Sequence, residues 1–334
     1  MRIALINSGI GLLATAAELH RLRPDADLVL AMDPDGMPWG PRTPADIAQR
    51  SLACARATAA FGPDVLVFAC NTGTVHALPA LRAEFEPAMP VVGTVPAIKP
   101  AAAFSDSVAI WATVATTAST YQRRLIDDFA GSARVTPVPC PGLADAVDAG
   151  DEAAARAAVA GAAARTPADC GAVVLGCTEY ELAADLIAAA LPGVALFRSA
   201  AAVAAQALRR VAAGGIDTRP DAAPSRTGTV RVLLSGRQAG LPEAALRYAE
   251  GRLLADLVVE DRPVEDRPVD DRPVDDRPVD DRPVDGRPVD DVRADDVRGD
   301  GRPVGDVRGD GRPADEPRAD RETEGSVPPS SVLA

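Results

Sequence analysis

The stretch V-L-V-F-A-C-N-T at residues 65–72 has a near match in A-V-V-L-G-C-T-E at residues 172–179. Each is a short apolar run, a small residue, a cysteine, and then hydroxyl or amide groups that precede a helical stretch. This pattern predicts a buried strand, a tight turn and a helix. Open parallel sheets bind ligands beyond the carboxyl ends of their strands, so both cysteines are predicted to lie at a ligand-binding edge.

The chain up to about residue 256 alternates strand-like and helix-like segments in the same way. Such alternation predicts parallel sheets with helices on both faces. We therefore expect an α/β fold with two pseudo-symmetric, doubly wound parallel-sheet domains and the active site between them. The domains are expected at residues 1–98 with 208–256, and at residues 99–207. Strands are predicted at residues 2–6, 28–31, 65–69, 91–92, 108–111, 135–138, 172–175, 194–197 and 229–234, a turn at 113–117 and a helix at 242–250.

Residues 257–334 form the third segment, an acidic tail in which D-D-R-P-V repeats every five residues. Residues 260–334 carry 23 acids and 13 arginines, so most of the net charge of −13 lies there. Each repeat places a proline beside charges and offers one valine to bury, which predicts disorder. A docking tail for a basic partner is the alternative.

Composition excludes several classes of function. Outside the tail the chain is nearly neutral, so no basic patch indicates nucleic acid binding. No apolar run reaches the length of a membrane span, and no secretory signal is visible at Met1. Five cysteines and two histidines, with no C-x-x-C, favour reduced cytoplasmic thiols over disulfides or a metal site. S-G-I-G at residues 8–11 lacks the third glycine of a dinucleotide fingerprint.

Seven segments occur in the order typical of one enzyme family. Together they resemble the cofactor-independent glutamate racemases of the aspartate/glutamate racemase superfamily, over about residues 1–256. The segments are N-S-G-I-G at 7–11, P-W-G-P-R at 38–42, A-C-N-T at 69–72, G-T-V-P-A-I-K-P at 93–100, A-T-V-A-T at 112–116, C-P-G-L at 140–143 and G-C-T at 176–178. The resemblance implies an isomerase that interconverts L- and D-glutamate for peptidoglycan synthesis, needs no cofactor, and forms a homodimer.

The resemblance also implies the site residues. Cys70 and Cys177 are the two acid/base thiols, one a thiolate and the other a thiol at each turnover. Helix N-termini are expected to lower both thiol pKa values. Side chains and backbone donors near the two thiols are expected to bind the substrate: Asn7, Ser8, Pro38, Trp39, Gly40, Asn71, Thr72, Thr113, Thr116 and Thr178.

Two positions depart from the family pattern. Asn7 stands where the family usually has Asp, and Glu179 stands where it usually has His. Asn7 cannot act as a base, whereas Glu179 is an auxiliary acid/base candidate. Its charge beside Cys177 is expected to raise that thiol's pKa, so that Cys177 rests as thiol and Cys70 as thiolate. These departures leave two alternatives open: a racemase for aspartate or another amino acid, and a catalytically weak paralogue with a binding or regulatory role.

Overall fold

The computed structural model describes residues 1–218 and 227–259. Residues 257–259 hydrogen-bond to Val230 beside the first sheet, and the remainder of the predicted tail lies outside the described residues. Within the described ranges, none of the helices combines the length and apolarity needed to cross a bilayer.

In the part of the chain that the structure describes, ten strands form two separate sheets. They are β1 (Arg2–Asn7), β2 (Asp27–Met32), β3 (Val65–Phe68), β4 (Val91–Gly93), β5 (Ser107–Ala112), β6 (Arg134–Pro139), β7 (Ala172–Leu175), β8 (Ala195–Phe197), β9 (Val230–Leu234) and β10 (Arg237–Ala239). The first sheet has the order β10-β9-β2-β1-β3-β4 and the second the order β6-β5-β7-β8. All neighbouring strands are parallel except β10 with β9.

Helices connect the strands and cover the sheets. They are α1 (Leu12–Leu22), α2 (Pro44–Ala59), α3 (Asn71–Phe85), α4 (Ile98–Phe104), α5 (Val114–Ala118), α6 (Thr120–Phe129), α7 (Leu143–Ala149), α8 (Glu152–Ala163), α9 (Thr178–Leu182), α10 (Ala184–Ala190), α11 (Ala200–Ala213) and α12 (Ala249–Ala255). The predicted α/β class with parallel sheets is confirmed. The domain bounds stay a prediction; the strands of each sheet fall within the residues predicted for one domain.

Two local predictions were wrong, and one strand was missed. Residues 113–117 form helix α5 and its cap, because the Thr113 hydroxyl accepts the Thr116 N–H. Residues 237–239 add the antiparallel edge strand β10, which follows a turn with positive φ at Ser235 and Gly236. The helix predicted at 242–250 is a 3-10 turn, Glu243–Arg247, separated from α12 by Tyr248 in an extended conformation.

One large apolar core spans the two sheets and the helices between them. Trp111 on β5 and Tyr180 on α9 are fully buried in it. The polar atoms of both rings have partners: the Trp111 Nε1–H donates to Thr166, and the Tyr180 hydroxyl donates to the Cys140 carbonyl. Because a buried aromatic with a satisfied polar tip contributes apolar area without a desolvation cost, these contacts stabilise the packing of α9 against the second sheet.

Candidate active site

The two thiols predicted to face each other line one cavity of about 450 Å³. Cys70 follows β3 and is the N-cap of α3, where its sulfur accepts the Gly73 N–H at 3.4 Å. Cys177 follows β7 and is the N-cap of α9. The cavity therefore lies at the carboxyl ends of strands from both sheets, which is where parallel sheets bind ligands.

Most of the predicted substrate-binding residues line this cavity. Together with Cys70, Cys177 and Glu179, these are Ser8, Pro38, Trp39, Gly40, Asn71, Thr72 and Thr113. Asn7, Thr116 and Thr178 are buried outside the lining. Thr116 is tied to Thr113 through the cap of α5, so it supports the lining from behind.

Asn7 and Glu179, the two departures from the family pattern, are in contact. The Asn7 Nδ2 donates to Glu179 Oε1 at 3.3 Å and to Thr178 Oγ1 at 3.2 Å. The Asn7 Oδ1 accepts the Ser8 N–H at 2.7 Å. Asn7 thus joins the end of β1 to the start of α9, and its carbonyl oxygen is already occupied by Ser8.

The Cys177 thiol donates a hydrogen bond to Glu179 Oε2 at 2.8 Å. Its proton therefore points at a carboxylate, which favours the thiol over the thiolate. Cys70 differs in its hydrogen bonds, because its sulfur accepts from Gly73 and Ser8 and donates to no carboxyl group in the described ranges. The two half-sites are chemically unequal.

The pKa values of both thiols are raised, so the expectation that helix N-termini lower them was wrong. Burial, followed by the charge of Glu179, raises the pKa of Cys70 to about 12, and the Gly73 and Ser8 donors offset only part of this. Burial raises the pKa of Cys177 well above its usual value, and the charge and hydrogen bond of Glu179 add to the effect. A fully buried thiolate loses its hydration, and this cost exceeds what one helix terminus returns. The raised pKa of Cys70 opposes the thiolate that was expected there, whereas the expected effect of Glu179 on the pKa of Cys177 is confirmed.

Asp148 on α7 is a lining residue that sequence reasoning missed. Its Oδ1 accepts the Ile10 N–H at 2.9 Å, so it joins the second sheet's helices to the turn after β1. Burial, with the charge of Glu179 second, raises the pKa of Asp148 well above its usual value. The sequence offered only a weak indication of this position, namely an acid eight residues after Cys140 in a segment that forms a short helix.

The two glycines of N-S-G-I-G make room for these carboxyl groups. A Cβ on Gly9 would lie 2.2 Å from Asp148 Oδ1, and a Cβ on Gly11 would lie 2.6 Å from Glu179 Oε1. A side chain at either position would force these carboxyl groups to move, so glycine lets the two acids approach the backbone after β1. The segment thus serves close packing between the two halves of the site.

Trp39 closes one wall of the cavity and has no free donor. Its ring packs edge-on against Phe68, and its Nε1–H donates to Asp33 Oδ2 at 3.0 Å. Arg50 forms an ion pair with the same Asp33 oxygen at 3.2 Å. The indole N–H is therefore engaged within the protein, so Trp39 offers the cavity an apolar surface.

Asn71 is the one lining amide whose Nδ2 and Oδ1 are both buried without a hydrogen-bond partner among the described residues. It is the first residue of the 15-residue helix α3, whose N-terminal N–H groups favour an anion. Unpaired buried amide atoms are costly, so their presence beside a cavity indicates a ligand that pairs with them.

The charged side chains along the described lining are all acidic: Asp145, Asp148 and Glu179. A ligand carboxylate would therefore depend on N–H groups, hydroxyls and the Asn71 amide, and a ligand cation would face the acids. No cluster of three or more His, Cys, Asp or Glu suited to a metal ion occurs within residues 1–218 and 227–259.

Comparison with known proteins adds the following. A family model described as Asp/Glu/Hydantoin racemase matches residues 6–207. A glutamate racemase of Pseudomonas putida is 38% identical over 217 residues, which is 63% of this chain and 82% of that protein. One from Herpetosiphon aurantiacus is 37% identical over 220 residues, 64% of this chain and 86% of that protein. The Escherichia coli glutamate racemase, solved with L-glutamate and the activator UDP-MurNAc-ala, aligns with a TM-score of 0.62 and 28% identity, covering 74% of this chain and 91% of that one.

Proposed function

Because the chain belongs to the Asp/Glu/hydantoin racemase family, we propose that it is a glutamate racemase that uses Cys70 and Cys177 as its two acid/base groups. The observation that carries the proposal is that both thiols line one cavity, each at the start of a helix. Such a pair can remove a proton from one face of Cα and return one to the other. The product D-glutamate would serve peptidoglycan synthesis.

The surroundings of the thiols indicate how the proton transfer begins. Both thiol pKa values are raised, so a nearby positive charge is needed to favour a thiolate, and at Cys177 the Glu179 carboxyl group that the S–H contacts at 2.8 Å can take up the proton. The substrate's α-ammonium group supplies that charge, and the lining acids hold it near the thiols. The first proton transfer is therefore coupled to substrate binding, which limits the thiolate's exposure to other reactions.

The α-carboxylate gains negative charge as the Cα proton leaves, and it needs donors at that moment. The Asn71 amide, the hydroxyls of Thr72 and Thr113, and the N-terminus of α3 surround the cavity and supply such donors. Donors held in a buried site stabilise developing charge more strongly than water does. Asn7, Thr116 and Thr178 act by holding these groups and Glu179 in place.

Replacing Asn71 by alanine tests whether this side chain serves the substrate or the stability of the fold. The change removes two unpaired buried polar atoms, so we expect no loss in the free energy of unfolding. We expect kcat/KM for glutamate to fall on the order of 10- to 100-fold, since a charge-assisted hydrogen bond is lost. Steady-state kinetics in both directions and urea unfolding measure the two quantities. A destabilised variant with normal kcat/KM would instead make Asn71 a structural residue.

The activity itself is tested by proton exchange at Cα. We expect the wild-type protein in D₂O, without added cofactor, to place deuterium at Cα of glutamate and to convert either enantiomer toward a racemic mixture. Mass spectrometry and chiral chromatography follow the two events separately. Absence of both exchange and racemisation with glutamate would refute the proposal, and it would favour the binding or regulatory paralogue.

A second candidate is racemisation of aspartate or another amino acid on the same two thiols. It is favoured by Glu179 at the position usually held by His, and by the Trp39 N–H that is engaged with Asp33. A panel of amino acids with chiral product analysis decides between the substrates, and a clear preference for glutamate removes this candidate.

We further propose a cytoplasmic location, consistent with five unpaired cysteines. Light scattering on the purified chain would test the predicted homodimer.

A further inference from the structure

Glu181 is a buried carboxylate on the helix that carries Cys177, and it takes no part in the cavity lining. Only 4% of its surface is exposed. Its two oxygens accept four hydrogen bonds from the start of α11: from the Ser199 N–H at 2.8 Å, the Ser199 hydroxyl at 2.7 Å and the Ala200 N–H, at 3.2 Å to each oxygen. A charged group is costly to bury unless it is paired in this way, so the arrangement requires an explanation.

The contact caps a helix that crosses from the second sheet to the first. Ser199 is the N-cap of α11 but does not cap it with its own side chain. Glu181 accepts the exposed N–H groups instead, which is the role of a capping carboxylate. α11 leaves the second sheet after β8 and packs against α1, β3 and β4 of the first sheet. Glu181 therefore ties the Cys177 helix to a helix that packs against the first sheet.

The hydrogen bonds continue to the helix of the other thiol. Thr94 follows β4, where the chain first crosses to the second sheet, and its hydroxyl donates to the Ser199 hydroxyl at 3.3 Å. The Thr94 N–H donates to the Thr74 hydroxyl on α3 at 3.2 Å, and the Thr74 N–H donates to the Cys70 carbonyl at 2.8 Å. All four side chains are buried. A continuous chain of contacts thus runs from Glu181 to Cys70.

We propose that four buried side chains form a clamp where the chain passes between the two sheets, after β4 and at α11: Glu181, Ser199, Thr94 and Thr74. This clamp sets the distance between the Cys70 and Cys177 thiols. Glu181 is a positioning residue in this scheme and does not touch the substrate. The inference rests on the proposed two-thiol function. Its physical basis is that two groups acting on opposite faces of one carbon tolerate little misplacement, since a shift of about 1 Å costs on the order of 100-fold in rate.

The test compares two variants that weaken the clamp at different points. Glu181→Gln keeps the size of the side chain but turns an NH₂ group toward the donors of α11. Thr94→Val keeps the shape and removes the hydroxyl that reaches Ser199. For each we expect kcat to fall on the order of 10- to 100-fold in both directions, while KM changes by less than about threefold, since the lining is untouched. The matched control is Asp185→Asn on the exposed face of α10, which should leave both constants unchanged.

The double variant separates positioning from general destabilisation. Members of one network are not additive, so Glu181→Gln with Thr94→Val should lose little more kcat than the worse single variant. The clamp would be refuted if the single variants fold and keep the wild-type kcat. It would also be refuted if kcat of the double variant falls by the product of the two single losses. Amide exchange gives a readout that does not need activity: the N–H groups of Ser199, Ala200 and α9 should exchange faster in both single variants than in Asp185→Asn. If the wild type racemises but no such change occurs, the clamp fails and the proposed function stands.

Discussion

We expect Cys70→Ala and Cys177→Ala each to lose glutamate racemisation by a factor on the order of 10² to 10⁴, because each would remove one of the two groups proposed to exchange a proton with Cα. Deuterium exchange at Cα without racemisation distinguishes the Cys70→Ala variant from the Cys177→Ala variant. A variant that keeps one thiol can remove and return a proton on the face which that thiol contacts, so residual deuterium entry should occur with only one enantiomer. Cys70→Ala and Cys177→Ala should therefore show opposite preferences, measured by mass spectrometry in D₂O.

The matched control is Cys54→Ala. Cys54 is also buried, and burial likewise raises its pKa to about 12, but it lies on α2 away from the cavity. Its loss should leave kcat/KM within about twofold of wild type and cost on the order of 1 kcal/mol in the free energy of unfolding. If both Cys70→Ala and Cys177→Ala exchange the Cα proton as fast as the wild type, the two-thiol mechanism is wrong.

Glu179→Gln should move the pH profile of the reaction to lower pH in both reaction directions. The Glu179 charge and its hydrogen bond from the Cys177 thiol add to burial in raising the pKa of Cys177. Removing the charge lowers that pKa, so the thiolate forms at lower pH. In the direction where Cys177 acts as base, the rising limb of kcat/KM should move to lower pH by about 1 to 3 units. In the direction where Cys177 acts as acid, the falling limb should move the same way.

Asn7→Asp is the opposite change at the same contact. It places a second carboxylate against Glu179 Oε1, where the Asn7 amide donates at 3.3 Å. The added negative charge should raise the pKa of Cys177 further and move both limbs to higher pH. Profiles of kcat/KM from pH 6 to 10, in both directions, provide the comparison. Shifts of the same sign in the two variants would show that charge at this contact does not control Cys177.

The contact also explains why two departures from the family pattern occur in one chain. The pattern has an acid at position 7 and a histidine at position 179; here position 7 is an amide and position 179 an acid. In this chain the amide donates to the acid at 3.3 Å, which forms a hydrogen bond across the two halves of the site. An acid at both positions would leave two buried carboxylates facing each other, which is costly. Each departure is therefore accommodated by the other.

Local sequence patterns were sufficient to predict most of the fold. Nine of the ten described strands lie where apolar runs predicted them. The prediction is simplest for β3 and β7, which are buried throughout, because a parallel strand buried on both faces must be apolar along its whole length. Strand β10 was missed because Arg237 and Gln238 lie on an exposed edge and carry no apolar pattern. Helix α5 was missed because its five residues are too few to show helical periodicity.

The candidate site was predicted in part, and the misses share one cause. Cys70, Asn71 and Cys177 follow strands directly, so their place at the sheet edge can be derived from the order of residues. Asp148 belongs to the site only because α7 packs against the turn after β1, a contact between residues 138 positions apart. Asn7 adjoins the site in sequence, yet its side chain is directed at Glu179 rather than into the cavity.

By itself the sequence determined the alternation of strands and helices, and with it the position of two thiols at the ends of parallel strands, since both depend on residues close together in the chain. Tertiary structure decided the ionisation of those thiols. The helix N-termini at Cys70 and Cys177 are local and were predicted, but burial is a property of the whole packed site. Desolvation outweighs the terminal N–H groups, and so the two pKa values are raised where the sequence alone indicated that they would fall.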